Sequence, residues 1–322
     1  MRSNVITSSQ CSFRTAREFA ELAGDTVLGA VRHSTTAGPP RWEHGLPVLP
    51  LHMARPGEPE VVEVWHTDGQ MVRTGEHKGL LYAHDGEVLF GAGWIGPSAD
   101  CGEAAHRAYL AAFEVVERLG YPNVFRMWNM IEGITEVYTD FCVGRGRAFD
   151  GRAFDERGHA MPASTDIGAL GGGVAFYFLA HRTRKAVHLE NPLQTPAHTS
   201  RCPSVARATY LTSEKGSLYV SGTASILGQT TVARGDVARQ CQVTLANIAA
   251  LIGQDNLARH GIDGGYRLDD LRTIKVYVKR PEDVRTVTRL CRDEFPRRAD
   301  IAVFTVDACR PDLLVEIEGS TP

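Results

Sequence analysis

The segment V-D-A-C-R-P-D-L-L-V-E-I-E, Val306 to Glu318, decides how the chain folds. Successive residues of a strand point to opposite faces of the sheet. Leu313, Val315 and Ile317 therefore share one face, suited to packing under helices. Leu314, Glu316 and Glu318 share the other, which places two carboxylates on the same side of an otherwise apolar strand. Buried charge is costly unless it is paired, so this face is expected to be either a wet edge or the wall of a polar site.

Working outward, the middle and last thirds read as one unit written twice. Each opens with a strand, Leu80 to Ala83 followed by Val88 to Gly91, or Ser217 to Ser221 followed by Gly222. Each continues into an amphipathic helix. The first has Asp100 three residues before Glu103, a capping spacing, with apolar positions Ala104, Ala108, Ala112, Val115 and Leu119 and a stop at Gly120. The second follows Gly235-Asp236, carries Ala238, Cys241, Leu245, Ile248 and Ile252, and stops at Gly253. Next come a strand (Asn123 to Ile131, or Leu271 to Val278), a shorter segment and a final apolar strand, Val174 to Ala180 or Leu313 to Ile317. A β-β-α-β-α-β order repeated after roughly 140 residues predicts a duplication. The strand-like pieces Val61 to His66 and Met71 to Thr74 suggest an eroded third copy at the N-terminus.

Composition narrows the function. The chain has 322 residues, 43% hydrophobic and 23% charged, with a formal net charge of −3. These are globular values that point to no nucleic-acid or membrane surface, and no apolar run is long enough to span a bilayer. Seven scattered cysteines, Cys11, Cys101, Cys142, Cys202, Cys241, Cys291 and Cys309, never form a C-x-x-C pair. They predict reduced thiols in a cytoplasm, with neither a disulfide framework nor a zinc site.

Six further positions stand out beside Glu316. If Glu318 lies about 7 Å along the same face, each carboxylate hinders ionisation of the other, and burial adds to the effect. A carboxyl kept neutral near pH 7 is what general acid catalysis needs. Arg145, in F-C-V-G-R-G-R, offers a guanidinium fork for a carboxylate, with glycines that let backbone approach a ligand. Arg289 belongs to a predicted helix over 283–295 and sits off its apolar stripe, so it matters only if another domain covers that face. Arg207, in P-S-V-A-R-A, and Tyr138 are weaker candidates. Cys309 precedes Arg310 at the entry to the last strand, and Gly222 follows the strand Ser217 to Ser221. The run Gly168 to Gly173 lacks the ending and the following helix of a phosphate loop, and no metal or cofactor is implied.

The last third resembles the reactive-intermediate deaminase (YjgF-like) fold, although Asp300 stands where that family carries a substrate-binding arginine. The combination of F-C-V-G-R (141–145), E-N-P-L-Q (190–194), P-S-V-A-R-A (203–208), S-G-T-A-S (221–225) and C-R-P-D-L-L-V-E-I-E (309–318) is more specific and resembles the chorismatases over essentially the whole chain. That resemblance implies an α+β architecture of three deaminase-like domains in one chain with pseudo-threefold symmetry. The expected spans are 1–78, 79–195 and 196–322, with the site between the central and C-terminal domains. It implies action on chorismate, with Glu316 protonating the enolpyruvyl methylene and Arg145 and Arg289 gripping the two carboxylates, and an internal threefold ring that is already closed leads us to expect a monomer. Members resembling the 3-hydroxybenzoate formers carry glycine at 222 and cysteine at 309, as here. They release pyruvate by an intramolecular, arene-oxide-like route in which Cys309 assists proton movement. The alternatives are a hydrolytic chorismatase and a non-catalytic binding protein. One departure is the stretch 195–202, T-P-A-H-T-S-R-C, which is shorter than the family's tyrosine- and proline-rich loop.

Overall fold

A computed structural model describes residues 11–22, 27–67, 71–98, 100–150, 162–196, 205–213 and 216–322. Most of the departing stretch 195–202 lies outside these described residues. The first sheet contains β1 (Cys11–Arg14), β2 (Val27–Ser34), β3 (Arg41–Glu43), β4 (Leu46–His52) and β5 (Val61–His66), with the short helix α1 (Ala16–Ala20). The second contains β6 (Arg73–His77), β7 (Leu80–His84), β8 (Val88–Ile95), β9 (Asn123–Glu132), β10 (Ala163–Ala169) and β11 (Val174–His181), with α2 (Cys101–Leu119) and α3 (Ile134–Phe149). The third contains β12 (Ala186–Leu189), β13 (Ala208–Leu211), β14 (Ser217–Ala224), β17 (Thr273–Val278), β18 (Asp300–Thr305) and β19 (Val315–Ser320). Its helices are α4 (Val237–Ile252), α5 (Gln254–Arg259) and α6 (Val284–Glu294), and a small hairpin, β15 (Ile226–Leu227) and β16 (Thr230–Thr231), follows β14. The central sheet thus begins at Arg73 and the last at Ala186, a few residues ahead of positions 79 and 196.

The duplication is explicit in the strand order. The central sheet runs β10-β9-β11-β8-β7-β6, and the last, taken in the same sense, runs β18-β17-β19-β14-β13-β12. In both, the outermost pair is parallel and the remaining neighbours are antiparallel. The shorter segment expected before each final strand holds a helix, α3 or α6, and then a strand the expected order lacks, β10 or β18. The N-terminal order β4-β2-β5-β1 repeats the same parallel and antiparallel pattern. Helices have been lost from this copy: α1 stands where α2 would be, and β3 occupies the connection that α3 or α6 makes elsewhere.

Packing follows from this layering. The inner faces of all three sheets meet in one core that includes Leu28, Phe90, Trp128, Tyr177, Tyr219, Tyr277 and Phe304. Outer faces are covered by α2 and α3 in the centre, by α4 to α6 at the C-terminus, and only by α1 in the first copy. Because β11 is covered on both sides, V-A-F-Y-F-L-A-H is buried throughout and reads as a continuous run instead of an alternation.

Helix limits follow local chemistry. The Asp100 side chain accepts the Glu103 N–H at 2.8 Å, and Gly120 ends α2 in the left-handed conformation. The buried stripe of α2 is turned slightly from the expected one, towards Ala105, Tyr109, Ala112 and Val116. No helix among the described residues is long and apolar enough to cross a membrane. The expectation of seven reduced thiols is corrected at Cys142, which is disulfide-bonded, while Cys11, Cys101, Cys241, Cys291 and Cys309 are free. Linear spacing says nothing about which cysteines the fold brings together, so the thiol-based argument for a cytoplasmic setting loses its footing.

Candidate active site

A cleft of about 400 Å³ lies between the central and C-terminal copies. Tyr138, Ser164 and Asp166 line it from the central copy. Arg207, Gly222, Cys309, Arg310, Leu313 and Glu316 line it from the C-terminal one. Five sequence-predicted residues, Glu316, Cys309, Gly222, Arg207 and Tyr138, therefore meet in one place.

Glu316 is held by β19, where it faces Ala224 of β14 and Tyr277 of β17. The β14–β19 register slips between Val220 and Thr223, so an extra residue bulges out of β14 beside the carboxylates. Bulges of this kind redirect side chains next to active sites. The bulge contains Gly222, whose N–H donates to Thr165 Oγ1 at 2.9 Å. A Cβ at 222 would stand 1.9 Å from Glu316 Oε1 and 3.1 Å from Thr165 Cγ2. Only glycine leaves the carboxyl room to lie where it does.

The Glu316 residue is 5% exposed, and no donor among the described residues hydrogen-bonds its carboxyl. Burial, the Asp166 carboxylate and then Glu318 push its pKa up to about 8, against the opposing pull of Arg126 and Arg207. It is a carboxylic acid at neutral pH. Cys309 is also kept protonated, by burial first and by the Asp166 carboxylate, with Glu316 adding to the effect once it ionises. It can donate an S–H but is no thiolate.

Glu318 has the opposite surroundings. Lys275 Nζ lies 2.8 Å from one oxygen and Arg126 Nη2 lies 2.6 Å from the other. Trp128 Nε1 donates at 2.8 Å, and the Thr165 hydroxyl also donates. Burial alone would raise its pKa, yet the two cations and these donors hold it below the usual carboxylate range. Lys275 also reaches Glu63 of β5 at 3.0 Å and the Tyr177 hydroxyl of β11 at 2.7 Å. The last strands of all three copies thus meet in one buried charge network.

Two predicted arginines do not fit the expectation. Arg145 is not on a ligand-facing loop; it lies within α3, 2% exposed, with Nη1 at 2.7 and 2.8 Å from the two oxygens of Asp166. The glycine before it serves packing, because a Cβ at Gly144 would stand 1.8 Å from the Gly102 carbonyl oxygen of α2. Arg145 stands behind Asp166 instead of lining the cleft. Arg289 is exposed on α6, on the helical layer outside the sheet, and is not brought to the cleft. Both placements are corrected here, for the same reason. A helix's charged residues look alike in sequence whether they face solvent or a buried carboxylate.

The cations that do line the cleft are Arg207 and Arg310. Arg207 has no carboxylate partner among the described residues, its Nε is buried without a hydrogen bond, and burial lowers its pKa. Arg310 is steered by donation to the Gln229 carbonyl at 2.9 Å. Asp166 was missed in the sequence because it sits in an unremarkable strand, A-S-T-D-I-G-A. Asp300, at the position of the deaminase arginine, accepts the Phe13 N–H at 2.7 Å and so joins β18 to the N-terminal copy.

Two arginines without carboxylate partners among the described residues and a neutral carboxyl in one cleft suit a doubly anionic, acid-sensitive molecule. The family description "Chorismatase FkbO/Hyg5-like, N-terminal" matches residues 63–180. A 3-hydroxybenzoate synthase from Streptomyces hygroscopicus is 46% identical over 316 residues, covering 92% of each chain. A chorismatase from Streptomyces rapamycinicus is 40% identical over 331 residues, covering 98% of each. A chorismatase crystal structure superposes with a TM-score of 0.91 at 40% identity and 98% coverage of both chains. With relatives aligned over nearly its full length and a chorismatase crystal structure superposing on it throughout, this chain belongs to the chorismatase family.

Proposed function

We propose that the protein converts chorismate to 3-hydroxybenzoate and pyruvate. The observation that carries this reading is the neutral carboxyl of Glu316, without a hydrogen-bond donor among the described residues, inside a cleft that holds two arginines without carboxylate partners among those residues. Chorismate is a dianion, with a ring carboxylate and an enolpyruvyl carboxylate. Arg207 and Arg310 take the clamping roles first expected of Arg145 and Arg289, since a guanidinium fork matches a carboxylate edge.

The steps balance without added water. Glu316 gives its proton to the enolpyruvyl methylene, which leaves a carboxylate and an oxocarbenium carbon. The neighbouring ring hydroxyl attacks the ring carbon as its bond to the ether oxygen breaks and pyruvate departs, and the hydroxyl's proton passes to the Glu316 carboxylate. The strained ring ether then opens, and loss of a ring C–H proton, returned to Glu316, makes the ring aromatic. Cys309, present as the thiol, assists by lending a proton to the opening oxygen and is reprotonated by Glu316, which is then free to take the ring C–H proton. Gly222 keeps space for the Glu316 carboxyl in the rotamer that faces this chemistry. A monomer is part of the proposal, because the three sheets already close around their shared core.

Incubation with chorismate in ¹⁸O-labelled water, with chromatography and mass analysis of products, tests it. The expected products are pyruvate and unlabelled 3-hydroxybenzoate. A labelled dihydroxycyclohexadiene carboxylate would show the hydrolytic branch instead, and saturable binding without pyruvate release would sink the enzymatic reading.

A further inference from the structure

Asp166 is absent from every sequence-level expectation, yet it is the most heavily bonded group in the cleft. Its oxygens accept from Arg145 Nη1 (2.7 and 2.8 Å), the Tyr138 hydroxyl (2.9 Å), Asn129 Nδ2 (2.7 Å) and the Ser164 hydroxyl (3.1 Å). Its side chain is 3% exposed, so this is a buried ion pair, and such pairs are expensive to desolvate. The pair is also directional. Asp166 lines the cleft and Arg145 does not, so the negative end faces the cavity and the positive end is buried behind it. Glu316 lines the same cavity from the opposite copy.

We infer that Asp166 is a positioning residue: an anion fixed at the cleft wall that holds the proton on Glu316 and then offsets the positive charge created when that proton leaves. Before transfer, a carboxylate facing a second carboxyl favours the protonated form of the latter. After transfer, the oxocarbenium carbon lies among the new Glu316 carboxylate and the cations Arg207 and Arg310, so a second anion at the wall adds to the offset of its charge. A preorganised anion costs no reorganisation at the moment of reaction. Four donors satisfy Asp166, so it stays ionised: burial would raise its pKa, but Arg145 and these hydrogen bonds keep it low.

Other groups bearing on Glu316 are accounted for. Glu318, on the same strand, acts in the same direction as Asp166 but is neutralised by Lys275 and Arg126. Arg126 of β9 and Arg207 oppose it, while Cys309 and Tyr138 are neutral. Asp166 is the cleft-lining anion of this set.

The inference rests on the proposed reaction for its kinetic half, so the test has one readout that needs no substrate. Asp166→Asn keeps the size of the side chain and removes its charge. Arg145→Gln in the same chain removes the stranded cation, so the double variant guards against simple misfolding. The Glu316 carboxyl is followed by infrared titration of unliganded protein, with its band identified by its loss in Glu316→Gln. Both variants should ionise Glu316 at least about one pH unit lower than wild type. The basic limb of kcat/KM for chorismate should move down equally, and kcat on the acid plateau should fall about tenfold. An unmoved midpoint in the folded double variant, or a plateau kcat equal to wild type, overturns the inference. If wild type fails to consume chorismate, the reaction assignment falls while the titration still decides the role of Asp166.

Discussion

Glu316 and Glu318 stand two residues apart on one face of β19, both at most 5% exposed, and carry opposite protonation states. Glu318 is surrounded by Lys275 from β17, Arg126 and Trp128 from β9 and Thr165 from β10, and is a structural anion. Glu316 is one step further along the strand, where the bulge at Gly222 opens the sheet to the cleft and no donor among the described residues reaches it. The strand supplies the same residue type twice, and the neighbours decide which is an acid and which is a clamp. What separates them is the number of partners, not the depth of burial.

Glu316→Gln should break the acid half of this comparison hardest. The rate of pyruvate release should fall at least about a hundredfold with little change in KM. The variant should also change the pH dependence of stability. Glu316 binds its proton more tightly folded than unfolded, so it destabilises the fold progressively as pH rises from 4.5 towards about 8. Chemical denaturation should find that decline weakened in the variant.

Glu318→Gln attacks the clamp half. It leaves Arg126 buried without its carboxylate, which should cost about 3 kcal/mol of folding free energy. Its sign in pH is the reverse, because the folded pKa is lowered. The stabilisation is present above the ordinary carboxylate value and is lost as pH falls through the folded one. Equal stability of wild type and variant at pH 7 in a urea titration would refute the clamp.

Arg207→Gln sharpens the contrast between cations that face the cleft and those that do not. Loss of a charged contact to substrate should raise KM about thirtyfold while kcat changes less. Arg289→Ala, on the exposed face of α6, should alter neither parameter by more than about twofold. A large effect there would return Arg289 to the site.

Much of this was legible in the sequence because it depends on local chemistry. The alternation of L-L-V-E-I-E fixed the face of Glu316, the Asp100 and Asp236 caps located two helices, and the strand order announced the duplication. Residues whose roles depend on a distant partner were not legible. Asp166 looks like one polar residue in a strand until Arg145 arrives from α3. Lys275 and Glu63 carry no signal until three sheets close on one another. Arg145 and Arg289 were misplaced because a guanidinium on a helix has no sequence mark that distinguishes solvent, a buried carboxylate and a substrate. The N-terminal copy was ambiguous because its helical layer is reduced to the short α1, and the strand pairing carries the likeness to the other copies.

The most direct test of the account is the infrared titration of Glu316 in the unliganded wild-type protein. The neutral carboxyl band should persist at pH 7 and disappear with a midpoint of about 8, while Glu318 remains ionised throughout. A Glu316 midpoint in the ordinary range of about 4 to 5 would mean that the protein carries no acid at neutral pH, and the proposed proton transfer would have no source.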